Sequence, residues 1–210
     1  MTQLADNALT TLSSVKRELG VVTSSSDELF TRWINAASDY IEGSIGRPLG
    51  YGTITEHLKG TNSQYLILNN YPIVSVDSIE YEDSEVDSDS WELEVRDKNR
   101  GYVFNNYGWS TSTAIVGLVG EPGIGQRIYD VTYTYGYVLP NDATDELPRT
   151  LPWDIEEVVI SMLQTRYNRA QKNAYGLSNI KQGRVSYTFS SSNVTRENER
   201  IIARYKEWSI

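Results

Sequence analysis

The sequence predicts an α+β fold. It reads as a helical bundle, built from N-terminal helices and a helix over 152–171, with a β-rich insertion and a C-terminal strand–helix arm. Three observations carry this reading. Apolar residues recur at helical spacing in the first fifty residues and again after Leu151. Between about Thr53 and Val138 the period changes to two, with polar turns. One further strand and one further helical pattern close the chain. Because the β segment begins and ends between helical segments, the outer helices are expected to share one bundle. The expected boundaries are 1–50 for the N-terminal helices, 51–140 for the insertion, 150–175 for the bundle helix and 183–210 for the arm.

Each element has its own signal. Leu9, Leu12, Val15 and Leu19 predict a helix over 8–19 that stops at Gly20. Ser25 with Glu28 fits a capping box, with Ser26 as an alternative cap. The helix that follows runs to about Ile45 on a stripe of Phe30, Ile34, Ala37, Ile41 and Ile45, and Gly46-Arg47-Pro48 ends it. Ile54/Glu56/Leu58 and Tyr65/Ile67 are short strand candidates. Val74 and Val76 share one parity and Ile79 and Tyr81 the other, which predicts a bulge near Asp77-Ser78. Trp91, Leu93 and Val95 lead through a polar turn to Tyr102-Val103-Phe104, a hairpin. Residues 82–90 read as an acidic loop, and 105–127 as a long glycine-rich loop with one short strand at 114–119. Tyr129, Val131, Tyr133, Tyr135 and Tyr137 alternate as a strand with an aromatic face. Pro152 suits the first turn of a helix buried through Ile155, Val158, Val159, Met162, Leu163 and Tyr167. Val185, Tyr187 and Phe189 form a late strand, and Thr195 can cap a last helix striped by Ile201, Tyr205 and Trp208.

Composition removes several classes of chemistry. The 210 residues include no cysteine, so disulfides, thiolate catalysis and cysteine–zinc sites are excluded. His57 is the sole histidine. Net charge is −9, where a general nucleic-acid footprint is basic. No apolar run reaches the ~18 residues of a membrane span, and residues 1–8 lack the character of a secretory signal. Gly120 to Gly125 lacks the ending of a phosphate loop. The run Asp83, Glu85, Asp87, Asp89 lacks the glycine and bidentate glutamate of a calcium loop. No nucleophile elbow accompanies His57. No catalytic residue, metal ligand or cofactor is expected.

Fifteen tyrosines and five tryptophans point instead to assembly, since both side chains favour half-wet interfaces. The tyrosine stripe is either core or, in part, a subunit contact through Tyr133, Tyr135 and Tyr137. The last helix is short and needs an external surface. It either packs on its own body or swings out on the polar spacer Ser190-Ser191-Ser192-Asn193.

Taken in order, several segments form a pattern. Leu12–Gly20 precedes the capped helix 27–47 with its Gly-Arg-Pro-Leu step. Tyr71-Pro72-Ile73-Val74-Ser75-Val76-Asp77-Ser78-Ile79 follows, then the Trp91/Phe104 hairpin, then Asp130-Val131-Thr132-Tyr133-Thr134-Tyr135-Gly136-Tyr137. Leu151-Pro152-Trp153-Asp154-Ile155 opens the next helix, and Gly183-Arg184-Val185-Ser186-Tyr187 precedes the terminal arm. This order resembles the head–tail connector (adaptor or head-completion) proteins of long-tailed bacteriophages. The departures are Tyr135, where a small residue is common, and the longer stretch 105–127.

The resemblance implies a non-enzymatic virion protein of the neck, assembled in the host cytoplasm. It implies a homo-oligomeric ring, usually of twelve copies, that sits under the portal protein and extends the DNA channel. Such a ring presents a surface to the next neck or tail completion protein, and genomic DNA passes without specific binding; no membrane is involved. The family's portal-inserting segment maps onto 194–210, with Ile201, Ile202, Tyr205 and Trp208 as the expected contacts. Two other readings differ in class. One is a carbohydrate-binding β module, which needs an exposed aromatic platform. The other is a hydrolase using His57.

Overall fold

A computed structural model describes residues 3–81, 84–93, 99–111, 128–171, 179–182, 185–188 and 194–206. The chain divides into two compact units, 1–48 with 138–210, and 49–137.

The first unit is helical. Helix α1 spans Leu12–Leu19, α2 Asp27–Ile45, α3 Trp153–Gln171 and α4 Arg196–Tyr205. The sequence places the start of α1 at residue 8, but Ala8, Leu9 and Thr10 are buried outside the helix. Tertiary bonds claim their backbone: Leu9 N–H donates to Ser38 Oγ at 3.0 Å, and Asn141 Nδ2 donates to the Thr10 carbonyl at 3.1 Å. Thr11 then caps the helix, its hydroxyl accepting from Ser14 N–H at 3.0 Å. Gly20 closes it at φ 66°.

The capping box expected at Ser25 and Glu28 does not form; Ser26 is the N-cap of α2 and makes no side-chain cap bond. Asp27 instead pairs with Lys16 at 2.6 Å, which ties the start of α2 to α1. The α2 stripe is buried as its spacing predicts, and Trp33 joins it while Tyr40 stays outside. Phe30 meets Tyr167 of α3 edge-on at 5.8 Å between centroids, and the Arg166 guanidinium covers Trp33 at 4.8 Å.

The second unit is two antiparallel sheets. Strands are β1 Gly52–Lys59, β2 Tyr65–Ile67, β3 Ile73–Tyr81, β4 Ser84–Glu85, β5 Trp91–Glu92, β6 Tyr102–Asn105 and β7 Ile128–Tyr135. One sheet runs β1-β7-β3-β4 and the other β2-β6-β5. Leu66, Leu68, Val103 and Trp109 meet Ile73, Ile79, Tyr129, Val131 and Tyr133 in one core. The phase slip in β3 is real. Its register against β7 shifts between Val76 and Ser78, and also between Ile73 and Ser75. The second shift turns Val74 outward, so it does not share a face with Val76 as parity suggests. The acidic stretch is also not all loop, since it holds β4 and a 3₁₀ turn over Ser88–Ser90 that Asp87 caps. Residues 114–119 and Gly120 to Gly125 lie outside the described residues.

A hairpin, β8 Asn179–Gln182 with β9 Val185–Thr188, precedes α4. The sequence signals only the second strand, because the run Asn179-Ile180-Lys181-Gln182 has a single apolar residue.

Gly136 ends β7 at φ 87°, and a Cβ there would lie 2.2 Å from the Gly50 carbonyl oxygen. No L-side chain fits that approach. Gly136→Ala is expected to destabilise the β unit by about 3 kcal/mol or more, read as a shift of the urea midpoint at unchanged slope.

Candidate functional site

The residues singled out by the sequence fall into three places. Tyr133 is fully buried, so the expectation that it faces a neighbouring subunit is withdrawn. The reason is its position on β7, the strand flanked on both sides, whose inward residues form the core. Its hydroxyl accepts from Asn70 N–H at 3.1 Å. The buried Glu56 carboxylate collects Asn69 N–H at 3.1 Å and Asn70 Nδ2 at 2.9 Å beside it. Tyr135 and Tyr137 are half-buried.

Burial pushes the Tyr133 hydroxyl well above its usual 10.0, the Asn70 N–H opposing and the Glu56 charge adding. A pKa raised in the folded state gives stability that is complete below the unfolded value and is lost as pH rises. The predicted loss is about 1.4 kcal/mol per pH unit above about pH 10 for this one proton. Tyr133→Phe is expected to flatten the alkaline fall in unfolding free energy by that slope, measured by urea titration at a series of alkaline pH values.

In the chain by itself the last helix is seated on α3. Its N-cap Thr195 accepts from Asn198 N–H at 3.1 Å, as its sequence suggests. Ile202 and Asn198 are buried, and Asn198 Nδ2 donates to Ser161 Oγ of α3 at 3.3 Å. Tyr205 Oη donates to Asp154 at 2.8 Å, Arg204 pairs with the same carboxylate at 2.7 Å, and Arg47 donates to the Tyr205 carbonyl at 3.3 Å. Of the two readings the sequence leaves for α4, the chain by itself adopts the packed one. Its apolar stripe finds its surface on the body of its own unit. Ile202 is spent there, Ile201 and Tyr205 are half-buried, and Trp208 lies outside the described residues. Ile202→Ala is expected to cost about 2–4 kcal/mol, seen as a lower thermal midpoint of the helical unit.

One exposed residue was missed from sequence. Trp153 is 73% exposed at the start of α3, with the Arg149 guanidinium 3.5 Å above its ring. Arg149 is fixed by the buried Glu156, 2.9 Å away, in an ion pair set off the line of its N–H bonds. Glu156 also accepts from Thr10 Oγ1 at 2.7 Å. The signal was present in the spacing: Trp153 lies about 200° around the helix from Ile155, opposite the apolar stripe.

The remaining features suit surfaces better than reactions. His57 is exposed on β1, its Nδ1 2.6 Å from Asp130 of β7. Tyr65, Tyr102 and Phe104 form an aromatic patch on the outer face of the second sheet, but the rings tilt 56° and 59° to one another. A sugar platform needs a flatter array. A cleft of about 310 Å³ opens between α2 and α3, bordered by Trp33, Tyr40, Met162, Arg166 and Val194. Among the described residues no group of three or more acidic or histidine side chains converges as a metal site, and no helix is long and apolar enough to cross a membrane.

The sequence profile of the head completion proteins matches residues 8–147. The chain belongs to the head completion protein family. That membership places it among the structural proteins that complete the virion head. No curated protein matches it.

The fold of this chain has solved counterparts. A chain from the neck of an empty GTA particle, computed with C6 symmetry, is similar over 100% of this chain and 96% of that one, at 14% identity and a TM-score of 0.56. A chain from the neck of a native GTA particle, computed with C12 symmetry, covers 100% and 94% at 18% identity and 0.53. A chain from the virion of a native gene transfer agent particle covers 100% and 95% at 15% identity and 0.54. At these identities the likeness is one of fold.

Proposed function

We propose that this head completion protein forms a closed ring, of twelve copies in the family's usual manner, that docks on the portal, continues the DNA channel and presents a seat to the next neck or tail protein. The observation that carries this reading is the full-length fold likeness to neck chains of particles treated with C6 and C12 symmetry, joined to membership of the family. A ring of identical copies uses a heterologous contact closed by rotation, so each copy presents two different surfaces.

Charge supports a channel role. The β unit holds five basic and thirteen acidic residues, a net −8, whereas the helical unit holds fourteen and fifteen, a net −1. DNA carries one negative charge per about 1.7 Å of duplex axis, so a wall lined by the β unit would repel it and leave it free to slide. No base or phosphate recognition is needed for that role.

With α4 held on its own unit, portal contact passes to the residues beyond Lys206, and Trp208 is the anchor of choice because truncated tryptophans dominate interface energies. Trp208→Ala is expected to weaken portal attachment by about 2 kcal/mol or more while leaving the circular dichroism spectrum unchanged. Native mass measurement of the chain with purified portal reads the loss. Full attachment by the variant would remove Trp208 from the contact.

A further inference from the structure

The outward face of α4 carries a stripe of arginines, of which the bundle engages Arg204. Arg196, Arg200 and Arg204 follow one another at four-residue spacing, and all three are exposed. They lie opposite Asn198 and Ile202, the residues that seat the helix. Arg204 is partly occupied by Asp154, and none of the described ion pairs engages Arg196 or Arg200. Its C-terminal end adjoins α3 through Asp154, next to the exposed Trp153. Arginine and tryptophan together are the residue types enriched at binding hot spots. Trp153 is already held by Arg149, so little side-chain freedom is lost when a partner covers it.

The same chain carries a surface of opposite charge. From Lys59 to Arg96 there is no basic residue, while nine acidic residues lie between them. Glu80 of β3 and Glu85 of β4 face each other directly across an antiparallel pair, and both are exposed. Like charges opposed in that way weaken a sheet. β4 is the outer strand of its sheet among the described residues, so the pair stands at that sheet's edge. Asp87 and Asp89 continue the exposed run toward β5, and none of the described ion pairs involves these residues.

We infer that the arginine face of α4, with Trp153 at its end, is one half of the contact between neighbouring copies, and that the acidic β3–β4 edge of the next copy is the other half. Charge complementarity selects this occupant: the chain supplies both signs on separate units, which is what a heterologous contact between identical copies requires. The cation face also relieves the repulsion between Glu80 and Glu85. The inference rests on the ring reading above and names the surfaces that would close it.

Charge reversal tests it in the full-length chain. Three variants are compared with the parent by sedimentation velocity at low ionic strength: Arg196→Glu with Arg200→Glu, Glu80→Arg with Glu85→Arg, and all four together. Each variant's thermal unfolding confirms that it folds. Each one-sided reversal is expected to weaken self-association by about tenfold or more, and the fourfold variant is expected to regain it. If the free parent is monomeric, the same variants are read from the ladder of covalent oligomers obtained by cross-linking purified particles. Association that ignores the reversals overturns the inference and leaves the ring standing. Loss on reversing the arginines that is not rescued by reversing the glutamates also overturns it, and assigns that face to a different acidic partner. Absence of oligomers from both solution and particles overturns the ring as well.

Discussion

The helical unit depends on one buried carboxylate. Glu156, on the first turn of α3, takes the Thr10 hydroxyl from the N-terminal segment and pairs with Arg149 from the stretch that leads into the helix. Residues 146 positions apart are joined at 2.7 Å in a buried setting. A carboxylate so placed is costly unless it is both paired and hydrogen-bonded, and here it has each partner. The two ends of the unit, separated in sequence by the whole β unit, are thereby held in one bundle. The same interaction fixes Arg149, and Arg149 fixes the exposed Trp153. A single buried group thus links the closure of the unit to the presentation of its most exposed large aromatic side chain.

The β unit solves the same problem with neutral groups. Its buried Glu56 is met by amide donors of Asn69 and Asn70, and the Tyr133 hydroxyl lies in the same network. These bonds pin the turn between β2 and β3 to strands at the middle and one edge of the larger sheet. Thr53 with Thr134 and Thr55 with Thr132 bond across the outer face of that sheet. The unit has a firm interior, and most of its described acidic residues other than Glu56 are exposed.

Much of this was legible in the sequence. The α2 stripe, the start of α3 after Pro152, the Thr195 cap and the slip in β3 each have a local signal, because helix and strand periods depend on near neighbours. The tyrosine strand was legible as a strand, but its place between β1 and β3 was not, since strand order is set by residues far apart in sequence; that place is why Tyr133 is core. The sequence leaves the seating of α4 undecided for a related reason. Its stripe says only that it needs a surface, and whether that surface is its own α3 or a partner is decided by Asp154 and Ser161, more than thirty residues upstream. The exposure of Trp153 is legible too, since its angle around α3 sets it opposite the apolar stripe.

The account treats the chain as a component that works through its surfaces, with rigid units made by internal pairing and function made by neighbours. Electron cryomicroscopy of particles that contain it tests this most directly. The account predicts a closed ring of this chain between portal and tail, each copy keeping α4 seated on its own α2 and α3. Density showing the chain absent from that junction, or present there as a single copy, would contradict it.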